Sequence, residues 1–228
     1  MAKRNDKGYL CDLAADDIAA RAKAAAAANG FLFWEKGDYN INCIGIRNPD
    51  DQAAVDAFND AMLWLWKEKG LWQYRIFKIT TDPGQPSVKA PRRTDGTARI
   101  VFPQQIRRMW VLGEHHGSSS SYPAGRMFAA SADVAVWRVH GDLDSGSVYY
   151  NAGGLNYHRA SANKQTTVIG PYSEGCQVNS DPLHFAESLR IWGKQIETWG
   201  EGGKYLSYTG YEPADATHPL WPILQATI

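Results

Sequence analysis

The spacing of apolar positions divides the chain into a helical opening, a run of short extended pieces and one late helix. Residues 13–30, "LAADDIAARAKAAAAANG", are dominated by alanine, the best helix former, and Asn29-Gly30 supplies a stop, so a helix is predicted there. Residues 31–49 carry aromatic and β-branched residues around a "KGD" turn and end at Pro49, which predicts a hairpin or extended segment. Over 50–70, Val55, Phe58, Met62 and Trp66 recur at helical spacing. Carboxylates stand at the front and lysines before Gly70, as the helix dipole prefers, so a second helix is expected. Residues 71–84 read as a strand closed by a Pro-Gly turn.

Beyond that turn the pattern changes to short β-like pieces at 97–103, 107–117, 124–141 and 154–160, with Ser118–Ser121 as a polar surface loop. A last helix is predicted over 181–200. Asp181 is its cap, Pro182 lies in its first turn, and Phe185, Leu189, Trp192 and Ile196 share one face. Residues 205–211 read as a closing strand. No internal repeat is present. The expectation is an α+β fold, a single domain over 1–228 with a β-rich core, a mainly helical part over 1–70 and a C-terminal helix.

Composition narrows the function classes. Lysine plus arginine number 24 and aspartate plus glutamate 24, so no overall field draws the protein to nucleic acid or to an anionic membrane. No stretch approaches the ~18 apolar residues of a membrane span, and the amino terminus lacks the apolar run of a signal peptide. A soluble protein made in the cytoplasm is expected. Nine tryptophans and eleven tyrosines suit a packed sheet core, or stacking on sugars. Three widely spaced cysteines, Cys11, Cys43 and Cys176, form no CxxC pair, so reduced thiols are expected. Cys43, between Asn42 and Ile44, reads as a buried spectator.

Cys176 is different. A thiol becomes a useful nucleophile when a base or positive group raises its thiolate fraction. His158 lies late in a predicted strand and Cys176 follows a turn made by Pro171, Ser173 and Gly175, so both sit where a sheet edge meets a loop. The Gly175 and Cys176 amides are candidates to hold an oxyanion. Asn156 shares the His158 face. Arg159 offers a guanidinium for a substrate carboxylate, or, facing away on an alternating strand, for a structural salt bridge. His115 and His116 stand at a strand end, where adjacent side chains diverge, so they read either as substrate contacts at the cleft border or as plain surface histidines, and poorly as a metal chelate. Asp142 and Asp144 lack the distal bidentate carboxylate of a calcium loop and read as an acidic turn; His140 and His184 read as structural.

The stretch "HRASANKQTTVIGPYSEGC" resembles the signature of the L,D-transpeptidase (YkuD-type) family, in which a histidine opening a small-residue turn precedes a serine-x-glycine-cysteine loop. The resemblance covers about thirty residues. It implies a β-rich catalytic fold that attacks peptidoglycan stem peptides, with Cys176 as nucleophile, His158 as base, and Ser173 and Gly175 shaping the loop. Glu174, Val178 and Arg159 stand where the family usually carries histidine, arginine, and glycine or serine. Asn156, Arg159, Glu174, Gln177, His115 and His116 are the candidate substrate-binding residues.

A second resemblance spans most of residues 31–179. "GDYNINCIGIRNP", "WQYRIFKITTDPG", "GTARIVFPQQ" and the block ending "SEGCQV" are similar to a family of phage and prophage proteins. Together the two imply a cysteine-dependent peptidoglycan hydrolase of endolysin type, working through a thioacyl enzyme without metal or other cofactor. Such a protein would reside in the host cytoplasm before release to the wall, or in the virion. An L,D-transpeptidase or carboxypeptidase is the enzymatic alternative, and a phage structural or wall-binding module the non-enzymatic one.

Overall fold

Every side chain from Ala61 to Trp66 is apolar, and these residues form the middle of a strand, Asp60–Glu68, buried on both faces. The computed structural model describes residues 3–49, 56–116 and 121–227, with Lys3, Arg4 and His116 through their backbone alone. In chain order the elements are β1 (Lys3–Asn5), β2 (Gly8–Leu10), α1 (Ala15–Ala28), β3 (Asn42–Ile46), β4 (Asp60–Glu68), β5 (Leu71–Thr80), α2 (Gln85–Lys89), β6 (Thr97–Ile100) and β7 (Gln104–His116). They continue with β8 (Ser121–Met127), β9 (Val136–Val139), β10 (Gly146–Tyr149), β11 (Tyr157–Arg159), β12 (Gln177–Asn179), α3 (Pro182–Trp199), β13 (Tyr205–Tyr211) and α4 (Trp221–Leu224).

Eight strands close into a barrel in the order β4, β5, β12, β11, β8, β7, β13, β3 and back to β4, with the β1–β2 hairpin added to β5. The sheet is mixed. β11 runs parallel to β12 and β13 parallel to β3, while the other pairings are antiparallel. A separate three-stranded sheet, β10-β9-β6, flanks the barrel. Arg99 on β6 holds the two together, its Nε 2.6 Å from Asp82 Oδ1 just past β5, and Arg47 Nε lies 3.1 Å from the same oxygen.

Strand alternation explains the two cores. Cys43, Met62, Trp64, Phe77, Trp110, Tyr157 and Tyr208 point into the barrel, where Phe185 and Trp192 of α3 pack against them. Their neighbours Ile44, Ile46, Ala61, Leu63, Leu65 and Ile76 point outward beneath α1 and α4. An aromatic ring of about 150–250 Å² buried at ~25 cal/mol per Å² contributes at most roughly 4–6 kcal/mol, so the interior rings dominate the core. Gly45 makes room among them: a Cβ there would lie 1.8 Å from the Tyr208 hydroxyl.

The helix expected over 50–70 is replaced, from Asp60 on, by strand β4; residues 50–55, including Val55, lie outside the described residues. The helical spacing of Phe58, Met62 and Trp66 arose because residues 61–66 are apolar throughout, which suits a strand covered on both faces equally well. The expected helical character of 1–70 is thus confined to α1 among the described residues. The 31–49 segment is irregular up to Ile41 and then forms β3, and the 124–141 piece divides between β8 and β9 in different sheets. In the loop expected at Ser118–Ser121, Ser121 opens β8 and the other serines lie outside the described residues. The predicted helices over 13–30 and 181–200 and the closing strand are present, and the Leu183 amide donates to Asp181 Oδ1 at 2.9 Å.

Candidate active site

β11 and β12 place the proposed pair. Their parallel register sets Tyr157 beside Gln177 and His158 beside Val178. Tyr157 points into the barrel, so His158 points outward; Cys176, one residue before inward-facing Gln177, also points outward. Both line a cleft of about 740 Å³ between the barrel wall and the small sheet, together with His115, Tyr122, Asn156, Arg159 and Glu174.

The Cys176 loop is tightly braced. Gly175 has φ 112°, and a Cβ on it would lie 2.4 Å from the Ala98 carbonyl oxygen, so only glycine fits this turn. Ser173 is fully buried; its hydroxyl donates to the Cys176 carbonyl at 2.9 Å and accepts from the Gly175 amide at 3.2 Å. That corrects one expectation: the Gly175 amide is committed to Ser173 and is not free for an oxyanion. The Cys176 amide has no hydrogen-bond partner among the described residues and remains available.

At rest the pair is neutral. The Cys176 thiol donates to the Gly154 carbonyl at 3.4 Å, and its sulfur accepts from the Asn156 amide at 3.3 Å. Burial pushes the thiol up to about 11, opposed by the Asn156 amide and reinforced by Glu174. Burial likewise pushes His158 down to about 4, against the opposing effect of the Arg159 carbonyl. His158 Nδ1 lies 2.9 Å from that carbonyl oxygen, an acceptor, so a neutral imidazole carries its proton there and leaves Nε2 as the basic nitrogen.

Around His158 stand residues from β7 and β8. The His115 ring stacks on the His158 ring at 4.3 Å between centroids and 11° between planes. The Tyr122 hydroxyl donates to the Arg159 carbonyl at 3.4 Å, the same oxygen that holds Nδ1, and the Arg159 guanidinium lies 3.9 Å from the Tyr122 ring centroid. Arg159 therefore turns into the cleft, and the salt bridge considered for it does not form among the described residues. The other cleft guanidiniums are engaged: Arg92 with Glu174 at 2.9 Å, Arg93 with Asp95 at 2.8 Å, and Arg138 with Asn151 at 2.9 Å.

The remaining candidates separate clearly. Asn156 lines the cleft, but its Oδ1 accepts from the Met127 amide at 2.9 Å and its Nδ2 lies 3.5 Å from His115 Nδ1, so it braces the wall. Gln177 is corrected: it is fully buried inside the barrel and accepts from the Tyr208 hydroxyl at 2.7 Å, out of reach of substrate. Glu174 sits on the rim with Arg92, and His116 ends β7 opposite Ser121. Val178 packs with Phe58 and Ile169. Asp142 accepts from the Asp144 and Ser145 amides, as an acidic turn does, and no cluster of metal-ligating side chains occurs among the described residues.

Sequence reasoning missed Tyr122 and Arg92. Tyr122 gave no signal, because its role depends on a β8–β11 pairing that joins residues 37 apart. The doublet Arg92-Arg93 was a visible charge signal. Comparison with protein-family models, with curated proteins and with solved structures found no match to this chain.

Proposed function

We propose that the protein is a cysteine-dependent hydrolase of peptidoglycan stem peptides, endolysin-like, acting through a thioacyl intermediate. The observation that carries the reading is the outward placement of His158 on β11 and of Cys176 immediately before the adjoining parallel strand β12, both lining one cleft, with His158 Nδ1 tied to a carbonyl and Nε2 left basic. With His158 held near 4, the neutral base form prevails at physiological pH.

The chemistry follows from a neutral pair. As the sulfur attacks the scissile carbonyl and the C–S bond forms, His158 Nε2 takes the thiol proton. The Cys176 amide donates to the developing oxyanion. Collapse breaks the C–N bond, and His158 returns the proton to the departing amine. Water, deprotonated by the same nitrogen, then attacks the thioester and releases the acid and the thiol. Arg159, the cleft guanidinium without a carboxylate partner among the described residues, supplies charge for a stem-peptide carboxylate. The host cytoplasm before lysis, or the virion, is the compartment this role implies, and bacterial peptidoglycan the partner.

The test compares soluble products released from purified peptidoglycan by the wild type and by Cys176→Ala, read by mass spectrometry. Release of fragments carrying one added water, lost in the variant, is expected. Identical profiles would remove the nucleophile, and new cross-links without added water would replace hydrolysis by transpeptidation.

A further inference from the structure

Another cavity, about 260 Å³, lies well away from Cys176 and is lined by Trp34, Trp199, Tyr205, Arg107, Arg108 and Ser207, among others. Arg108 and His115, which borders the Cys176 cleft, are seven residues apart on β7, roughly 20 Å at strand rise.

The strand is deformed here in a way that serves the cavity. In a regular strand, consecutive side chains point to opposite faces. In β7, however, Ile106 pairs with Tyr208 and Trp110 with Leu206, so Arg107, Arg108 and Met109 stand opposite the single residue Ser207. Arg108 takes φ 50°, a conformation uncommon for a residue with a side chain, and its amide donates to Ser207 Oγ at 3.0 Å. Bulges of this kind re-aim side chains. The result is that both Arg107 and Arg108 line one cavity while Met109 is buried in the core.

No carboxylate lines the cavity, and neither arginine has an ion-pair partner among the described residues. The walls are aromatic. Trp199 is nearly half exposed and is fixed by its indole N–H donating to the Asp38 carbonyl at 2.9 Å. Gly37 packs against its ring, since a Cβ there would lie 2.4 Å from it. The Arg108 guanidinium lies 4.9 Å from the Tyr205 ring centroid. Two unneutralised guanidiniums beside fixed aromatic faces match a ligand with an apolar ring face and a negative charge at its edge.

We propose that this cavity binds an anionic saccharide, a pyranose whose C–H face packs on Trp199 and whose carboxylate or phosphate pairs with Arg107 and Arg108. The site is independent of the Cys176 chemistry; in a wall-acting enzyme it would hold the protein on an acidic wall polysaccharide.

Calorimetric titration of the full chain with D-glucuronate, D-glucose 6-phosphate, D-glucose and inorganic phosphate tests the proposal. Saturable binding of one or both anionic sugars is expected, at least tenfold tighter than of glucose or phosphate; the two sugars distinguish a carboxylate from a phosphate ligand. Arg108→Gly removes the guanidinium while suiting the backbone at φ 50°, so the chain keeps its fold, and it should weaken binding at least tenfold, as should Trp199→Ala. Absence of binding, equal binding of glucose, equal binding of inorganic phosphate, or unchanged affinity in Arg108→Gly would each overturn the proposal. Cleavage of soluble stem peptides by the same Arg108→Gly protein is read separately, so loss of the saccharide site and loss of the peptidase reading are distinguishable.

Discussion

The environment of His158 ties stability to pH in a way that can be measured. The imidazole is 5% exposed, and burial lowers its pKa from 6.5 to about 4. A histidine whose folded pKa is depressed adds no pH dependence above its unfolded value. As pH falls below about 6.5, the unfolded chain takes up a proton that the folded chain refuses, so stability declines toward pH 4. With a gap of about 2.5 pK units at 1.36 kcal/mol each, and half protonation of the folded form at pH 4, the loss is about 3 kcal/mol.

The perturbation is His158→Asn, whose amide nitrogen can still donate to the Arg159 carbonyl but does not titrate. Urea unfolding of both proteins would be followed from pH 7.5 to 4. Groups remote from His158 titrate alike in the two, so the difference between the curves reports His158 together with the His115 ring stacked on it. The wild type should lose about 3 kcal/mol more than the variant across this range. Parallel curves would refute the buried, neutral histidine, and with it the resting state assigned to the pair.

Two further substitutions probe the Cys176 loop. Ser173→Ala leaves the Gly175 amide and the Cys176 carbonyl without partners among the described residues, at a cost of about 2–4 kcal/mol in urea unfolding, and should slow thiol-dependent turnover. Unchanged stability and turnover would show the brace to be dispensable. Gly175→Ala forces a Cβ to 2.4 Å from the Ala98 oxygen at φ 112° and should cost about 3 kcal/mol or more; a variant of wild-type stability would contradict the turn geometry.

What the sequence determined by itself was local. The alanine run over 15–28, the Asp181 cap with Pro182, and the pattern of 205–211 specify their elements through propensity, capping and alternation, which act within a few residues. The outward face shared by His158 and Asn156 was legible for the same reason, because alternation along one strand is local. The special character of the loop at Ser173, Gly175 and Cys176 was legible as well.

Tertiary structure decided whatever depended on a second segment. Residues 61–66 satisfy helical and extended spacing alike; the barrel interior on one face and α1 with α4 on the other make them a strand. Gln177, adjacent to Cys176, falls inside the barrel because β12 is only three residues long between β11 and β5 and its alternation is set by those partners. His115 and Tyr122 reach His158 and Arg159 because β8 pairs with β11 and β7 lies on the far side of β8. Apolar patterning states how much of a segment must be buried, whereas the pairing of distant strands states against what, and that pairing set which side chains surround Cys176.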